Sequence, residues 1–491
     1  MIAERENMFD SIEEQIGEYA ELLLKALEDG LAAIKMYAEK GGGIGKYYDF
    51  PTVSYGKNGL PSFSTSFGSG PTDYRDCFRS FGRGEPKVDE KGIESFARLI
   101  DFVRKHPKLH HRFTIDYTPP PDAAKDIKID EINIVSGIKD SIDRYIHSNS
   151  GYEYDEQMGA EAIAPTLAYI FNKNLDIEIC VPILFLQFPF DEYQISDGVC
   201  IRRISGKEHQ ARYGVESYNT SAHKSVKSSA THAFVLKGWH VPNAERMWYF
   251  DVLSKPRAYP QERINNFFGA LRIATKANTG YAQIYSIAKG WAVHNKSDLP
   301  CALGATVRSY PGWFEDYYWN IETVPSISNE EMDQISTLYN NIESATENSI
   351  HLSIKRLNQC LVRDNEEDSV LDATIALEAL LSDDGNQEMT HKLAMRIGAL
   401  SRLEKSYHRT PFDSFGDVKK IYAYRSAIVH GSKGLDKKKV IKIDEDNEVN
   451  THALAVEYLR MILRVVLNNP DYRVPRNIDE KLLLNYGIVK S

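Results

Sequence analysis

The chain has 491 residues, with 59 lysines and arginines against 69 aspartates and glutamates, 42% hydrophobic residues and 26% charged ones. These proportions exclude a fibrous, coiled-coil-only or wholly disordered protein, and the length calls for about two to four domains rather than one core. The net charge of −10 leaves no global basic field, so any contact with nucleic acid has to come from a local patch.

The N-terminus is charged from its fourth residue and has no apolar leader core, which argues against secretion. The longest apolar stretch, Ile179 to Phe190, is interrupted by Pro182, Gln187 and Pro189 and falls short of the roughly 20 residues that span a bilayer. A cytoplasmic protein with no membrane contact is expected. The five cysteines (Cys77, Cys180, Cys200, Cys301 and Cys360) are far apart with no CxxC pair. They read as buried small hydrophobes in a reducing compartment, not as a disulfide framework or a zinc site.

In chain order, Phe9, Ile12, Ile16, Leu23, Leu27 and Ile34 recur at helical spacing, which predicts one amphipathic helix over residues 5–40 that ends at Gly41-Gly42-Gly43. Short strands and loops follow from Tyr47 to Pro86, then a helix from Lys91 to Lys105 and a stiff connector at Tyr117-Thr118-Pro119-Pro120-Pro121. Ile177–Val181, Met247–Val252, Gln283–Val293 and Ala302–Tyr310 read as strands, with a helix over Glu262–Thr275. After Pro325 the texture changes to five helical patterns: Glu330–Val362, Glu366–Ser382, Glu388–Leu403, Phe415–His430 and Val449–Asn468. Without a convincing strand among them, they predict a helical bundle. The expected fold class is α+β. It comprises an N-terminal helical and mixed region over residues 1–120, an α+β sensor or scaffold domain over 121–325, and an all-α bundle with a C-terminal tail over 326–491.

The sharpest chemical signal is the run Lys419 to Gly431. Val418, Ile421, Tyr422, Ile428 and Val429 trace one helix face, and Arg425 falls on the same stripe, where an inward cation needs a partner. His430 sits in the last turn with Gly431 placed as the C-cap, and the negative end of the helix dipole favours a cation there. An arginine that holds a phosphate beside a histidine that transfers protons suits phosphodiester chemistry, although such pairs also arise as surface ion pairs. From Lys419 to Lys442 eight cations (Lys419, Lys420, Arg425, Lys433, Lys437, Lys438, Lys439, Lys442) face one anion, Asp436. That run is either a solvated loop or the track of a polyanion's backbone.

The segment YRSAIVHG (residues 424–431), with LDATIALEALL (371–381) and HKLAMRIGAL (391–400), resembles the Apea-like branch of the HEPN domains. The match covers roughly residues 328–470. It implies a HEPN helical bundle with an R-x(4–6)-H motif, in which Arg425 and His430 are the catalytic pair and Ser426 the polar residue after the arginine. Glu378 and Arg396 resemble recurrent positions of the same branch and are supporting candidates. On the inner stripe formed by Leu371, Thr374, Leu377 and Leu381, Glu378 needs a partner. Either it pairs with Arg396 as a structural tie between helices, or it orients Arg425 or His430.

The resemblance further implies an endoribonuclease of an antiphage abortive-infection or toxin system that needs neither metal nor cofactor. It would cut cellular RNA such as tRNA and leave 2′,3′-cyclic phosphate and 5′-hydroxyl ends. Its partners would be RNA, gripped by Lys419, Lys420, Lys433, Lys437, Lys438 and Lys439, and a second copy in a homodimer or a higher assembly of dimers; a phage-derived trigger is admitted. The alternative is a catalytically inactive HEPN module for dimerisation and RNA binding.

Other signals are set aside. Gly41-Gly42-Gly43-Ile44-Gly45-Lys46 lacks the first glycine and the hydroxyl residue of a phosphate loop and follows a helix, not a strand. His106, His110 and His111 lack carboxylates at metal-site spacing and read as a surface turn. The aromatics and arginines from Phe67 to Gly84, among them Arg75, Arg79 and Arg83, could stack on bases but read better as packing.

Overall fold

The protein is described by a computed structural model over residues 2–65, 68, 70–78, 86–114, 129–215, 222–243, 252–294, 296–383, 388–404, 409–431, 435–443 and 447–484, with side chains from residue 15 onward. The fold is α+β. The N-terminal helix α1 (Ile2–Glu39) buries Tyr19, Leu23, Leu27, Leu31 and Ile34, a three-to-four-residue spacing that places one stripe against the core. It stops at Gly41, whose φ of +80° is the left-handed cap conformation. Gly42 N–H donates to Tyr37 O at 3.0 Å and Gly41 N–H to Ala38 O at 2.9 Å, the paired bonds of a Schellman end.

Helices α2 (Glu94–Lys105), α3 (Pro107–Phe113), α4 (Ile129–Asn149) and α5 (Glu156–Phe171) join α1 in one apolar cluster that runs from Tyr19 to Ile170. This core therefore does not divide at residue 120, because α4 and α5 pack back on α1. His110 and His111 lie in α3 rather than in a turn, with His106 as its N-cap, and His110 does have a carboxylate, Asp130, 3.1 Å away. Hydrogen bonding from Arg104 holds the Asp130 carboxyl at about 2. The connector at 117–121 lies outside the described residues, as do Phe67, Arg79 and Arg83. Arg75 is bound to Asp73 and Asp140 at 2.9 and 3.0 Å. Gly45 N–H donates to Asp76 at 2.8 Å, so its amide serves the fold and not a phosphate.

After the hairpin β1 (Pro51–Tyr55) and β2 (Pro61–Thr65), six strands build one antiparallel sheet in the order β4-β5-β6-β3-β7-β8. They are β3 (Asn174–Ile183), β4 (Glu192–Ser196), β5 (Val199–Arg203), β6 (His232–Pro242), β7 (Tyr281–Ala288) and β8 (Ala302–Ser309). The strand expected at 247–252 lies outside the described residues through residue 251, and β7 ends at Ala288, five residues before Val293. Alternation along the central strand sorts its two faces. Leu175, Ile177, Ile179, Val181 and Ile183 enter one core, and Cys180 enters the other with α6 (Gly206–Tyr213) and α7 (Lys224–Ser228) nearby. Four of the cysteines are buried, Cys301 is half-buried, and all five are free.

The first face is covered by α8 (Gln261–Thr275) and, beyond the short α9 (Phe314–Asn320), by the C-terminal bundle. The texture changes near residue 326, but a single apolar cluster continues from Leu175 in the sheet to Leu482 in the bundle. Tyr193 Oη donates to Asp333 at 2.6 Å and Asn266 Nδ2 to Glu343 at 2.7 Å across the same seam.

Among the described residues the bundle has six long helices where five were expected: α10 (Asn329–Glu343), α11 (Asn348–Val362), α12 (Glu366–Leu381), α13 (Met389–Ser401), α14 (Pro411–His430) and α15 (Thr451–Asn468). The stretch Glu330–Val362 is broken after Glu343. There Ser344 Oγ donates back to Asn341 O at 3.2 Å, the local side-chain bonding by which serine competes with a helix. A two-stranded hairpin, β9 (Val440–Lys442) with β10 (Glu448–Asn450), interrupts the expected all-α segment. Helix α15 is buried on nearly all sides and forms the bundle's centre. Among the described residues no helix is long and apolar enough to cross a membrane.

Candidate functional site

Helix α14 carries the Arg/His motif. Thr410 and Asp413 close a capping box at its start with Pro411 in the first position, and Gly431 at φ +57° ends it directly after His430. Its buried face is Val418, Ile421, Tyr422, Tyr424 and Ala427. The expected stripe fails at Val429, which is 54% exposed. Lys419, Lys420, Ala423, Ser426 and His430 form the outward face.

Arg425 lies at the rim between the two faces, not in the interior, with its side chain 35% exposed. Its Nη2 stands 3.8 Å from Glu378 Oε1 on α12, which is an ion pair without a hydrogen bond. Its Nε–H is buried and makes no hydrogen bond among the described residues. Tyr422, one turn back, donates to Thr374 O at 3.4 Å. Burial pushes its phenol well up, and the charge of the neighbouring Glu378 carboxylate pushes it further. Tyr422 is the neighbour that sequence reading missed: it reads as one more apolar position, and its i,i+3 offset from Arg425 is the only hint that it shares the site.

The expected tie between Glu378 and Arg396 is absent. Arg396, 2% exposed, binds Asp479 at 2.9 and 2.6 Å, Asp383 at 2.7 Å and Leu381 O at 2.5 Å. It clamps the C-terminal segment to the end of α12 and takes no part in the candidate site. Glu378 instead faces Arg425, the second of the two arrangements its position allowed.

Five residues along a helix amount to about 140° of rotation and about 7.5 Å of rise. Arg425 and His430 of one chain therefore point to different sides, and among the described residues no hydrogen bond or ion pair joins them. The lysine loop returns over the outward face: Lys438 Nζ donates to Ala423 O at 3.3 Å, two turns before His430. Lys439 pairs with Asp436 at 3.1 Å, and Lys437 is exposed with no ion pair among the described residues. Lys419 lies over the Phe415 ring at 5.3 Å, and Lys420 is exposed. Lys433 lies outside the described residues.

Compared with known proteins, the chain matches no family model, no curated protein and no solved structure. The site therefore rests on its own geometry. That geometry joins one outward face bearing Ser426, His430 and the lysines to an adjacent rim bearing Arg425 with Glu378 and Tyr422. Among the described residues no cluster of three or more His, Cys, Asp or Glu side chains could hold a metal ion. A guanidinium held loosely by one carboxylate can turn to a phosphate, and an exposed imidazole at a capped helix end can exchange protons with a bound strand.

Proposed function

We propose that the C-terminal bundle is a metal-independent endoribonuclease of the HEPN type, acting on cellular RNA such as tRNA in antiphage defence. The observation that carries this reading is Arg425: a partly exposed guanidinium whose buried Nε–H makes no hydrogen bond among the described residues and whose ion pair with Glu378 is long, at 3.8 Å. Arg396, by contrast, is held by several short contacts to Asp479 and Asp383.

In the proposed reaction a ribose 2′-hydroxyl attacks the adjacent phosphorus, the P–O5′ bond breaks, and the products carry 2′,3′-cyclic phosphate and 5′-hydroxyl ends. His430 transfers the proton and Arg425 stabilises the charge on the crowded phosphate. Because the two side chains of one copy diverge, the reading calls for a homodimer in which one copy's Arg425 works with the partner's histidine. The same divergence favours the second reading, a HEPN module that binds RNA without cutting it. Incubation with RNA in excess EDTA separates the two: cutting supports the enzyme, and binding without cutting supports the module.

Lys437 should act through backbone phosphates, since Lys438 and Lys439 already hold protein acceptors. In titrations of RNA against salt, Lys437→Ala is expected to weaken binding and reduce the slope of log affinity against log salt by about 1, with sequence preference unchanged. An unchanged slope would assign the loop to solvent.

A further inference from the structure

The short helix α9 belongs to the core on the second face of the sheet and is anchored from inside. Phe314 is fully buried, and Ile321 and Val324 just after the helix are nearly so. The Phe185 ring meets Phe314 at 4.8 Å and Tyr317 at 5.2 Å, both edge to face. Such packing fixes a helix too short to hold itself in water. Its outer side is unlike an ordinary surface. Trp319 is 72% exposed and Trp313 45% exposed. Tryptophan is the largest side chain and usually well buried, so an indole left in water forgoes a large gain. Tyr318 stands edge to face against Trp319, with ring centroids 4.9 Å apart, which steadies the indole.

Carboxylates flank the exposed indole. Glu315 and Asp316 stand four and three residues before Trp319 and so share its side of the helix, and Glu322 follows just beyond the helix end. Asp316 and Glu322 are exposed and Glu315 partly so, and none of the three makes an ion pair among the described residues. Arg308, beside Gly312, is held by Asp364 at 3.1 Å, and Asp364 also accepts the Gly312 N–H at 2.6 Å. The charge of this face decides what suits it. Unpaired carboxylates repel phosphate, so neither a nucleic-acid strand nor an anionic lipid surface fits. The face of an indole attracts a cation, most often the guanidinium of an arginine, which also stacks on it. A carboxylate one turn away offers that same guanidinium a charged acceptor.

We propose that this face docks a basic segment of a partner protein, with an arginine laid over Trp319 and bonded to Glu315 or Asp316. Such a segment brings the positive charge that the three carboxylates lack and covers the apolar ring, and an aromatic paired with an arginine is the usual centre of a protein contact. The inference does not depend on RNA cleavage.

The test is fluorescence anisotropy of a short labelled Arg-Ser repeat peptide titrated with the full chain, against a Glu-Ser peptide of equal length. Saturable binding of the arginine peptide is expected, and none of the glutamate peptide. Trp319→Ala and the double variant Glu315→Gln/Asp316→Asn should each weaken binding about tenfold or more. Both should fold as the wild type does, because these side chains lie outside the core. The same loss of charge at the exposed Glu156 and Glu161 of α5 should leave binding unchanged. Four results would overturn the proposal. They are no saturable binding to the wild type, wild-type affinity in either variant, an equal loss in the α5 control, or a wild-type chain that self-associates until Trp319→Ala makes it monomeric. The third would make the peptide a probe of net charge alone, and the fourth would seat a second copy on the face.

Discussion

Co-expressed Arg425→Ala and His430→Ala chains are expected to recover about a quarter of wild-type RNA cleavage, although each variant alone loses about 10²–10⁴-fold. The arithmetic follows from the helix geometry. If each of two sites in a dimer takes its arginine from one copy and its histidine from the other, a mixed dimer keeps one intact site of two, and half of all dimers are mixed. The variants should remain folded, since Arg425 is at the rim with a 3.8 Å ion pair and His430 is exposed beyond the core. Separately purified and mixed chains, assayed on the same RNA, measure the recovery. No recovery from verified mixed dimers would mean that each chain completes its own site.

Arg396→Ala is expected to act on the fold instead of the chemistry. It leaves Leu381 O, Asp383 and Asp479 without their shared cation at a position 2% exposed. Breaking such a buried cluster costs about 3–5 kcal/mol, reduced to about 2–3 kcal/mol because the two carboxylates can rehydrate; their side chains are 41% and 35% exposed. Denaturant unfolding should show the lowered midpoint, while cleavage per folded molecule should stay near wild type. A stable Arg396→Ala protein with lost cleavage would return Arg396 to the site.

The contrast between these two arginines shows what was legible in the sequence. In the sequence both fall on stripes that read as inward, and Glu378 could have reached either. Which one it meets depends on how α12, α13 and α14 slide past one another, and no local pattern encodes that offset. Helix ends were more readable because they are local: Gly41 and Gly431 cap as their positions imply. The start of α14 is four residues earlier than Phe415 because the capping box at Thr410 and Asp413, and not the first apolar residue, sets it. The break after Glu343 was hidden because apolar spacing resumes across it. Period-two alternation in β3 identifies two apolar faces, but it cannot say that one of them meets the bundle. The shared core across residue 326 was therefore out of reach of the sequence.

The most direct test of the central claim is to incubate the purified full chain with total RNA in excess EDTA and determine the chemistry of the new ends. The expected result is 2′,3′-cyclic phosphate and 5′-hydroxyl ends that appear with the wild-type chain and vanish with His430→Ala. RNA that stays bound and intact, or cleavage that persists at wild-type rate in His430→Ala, would contradict it.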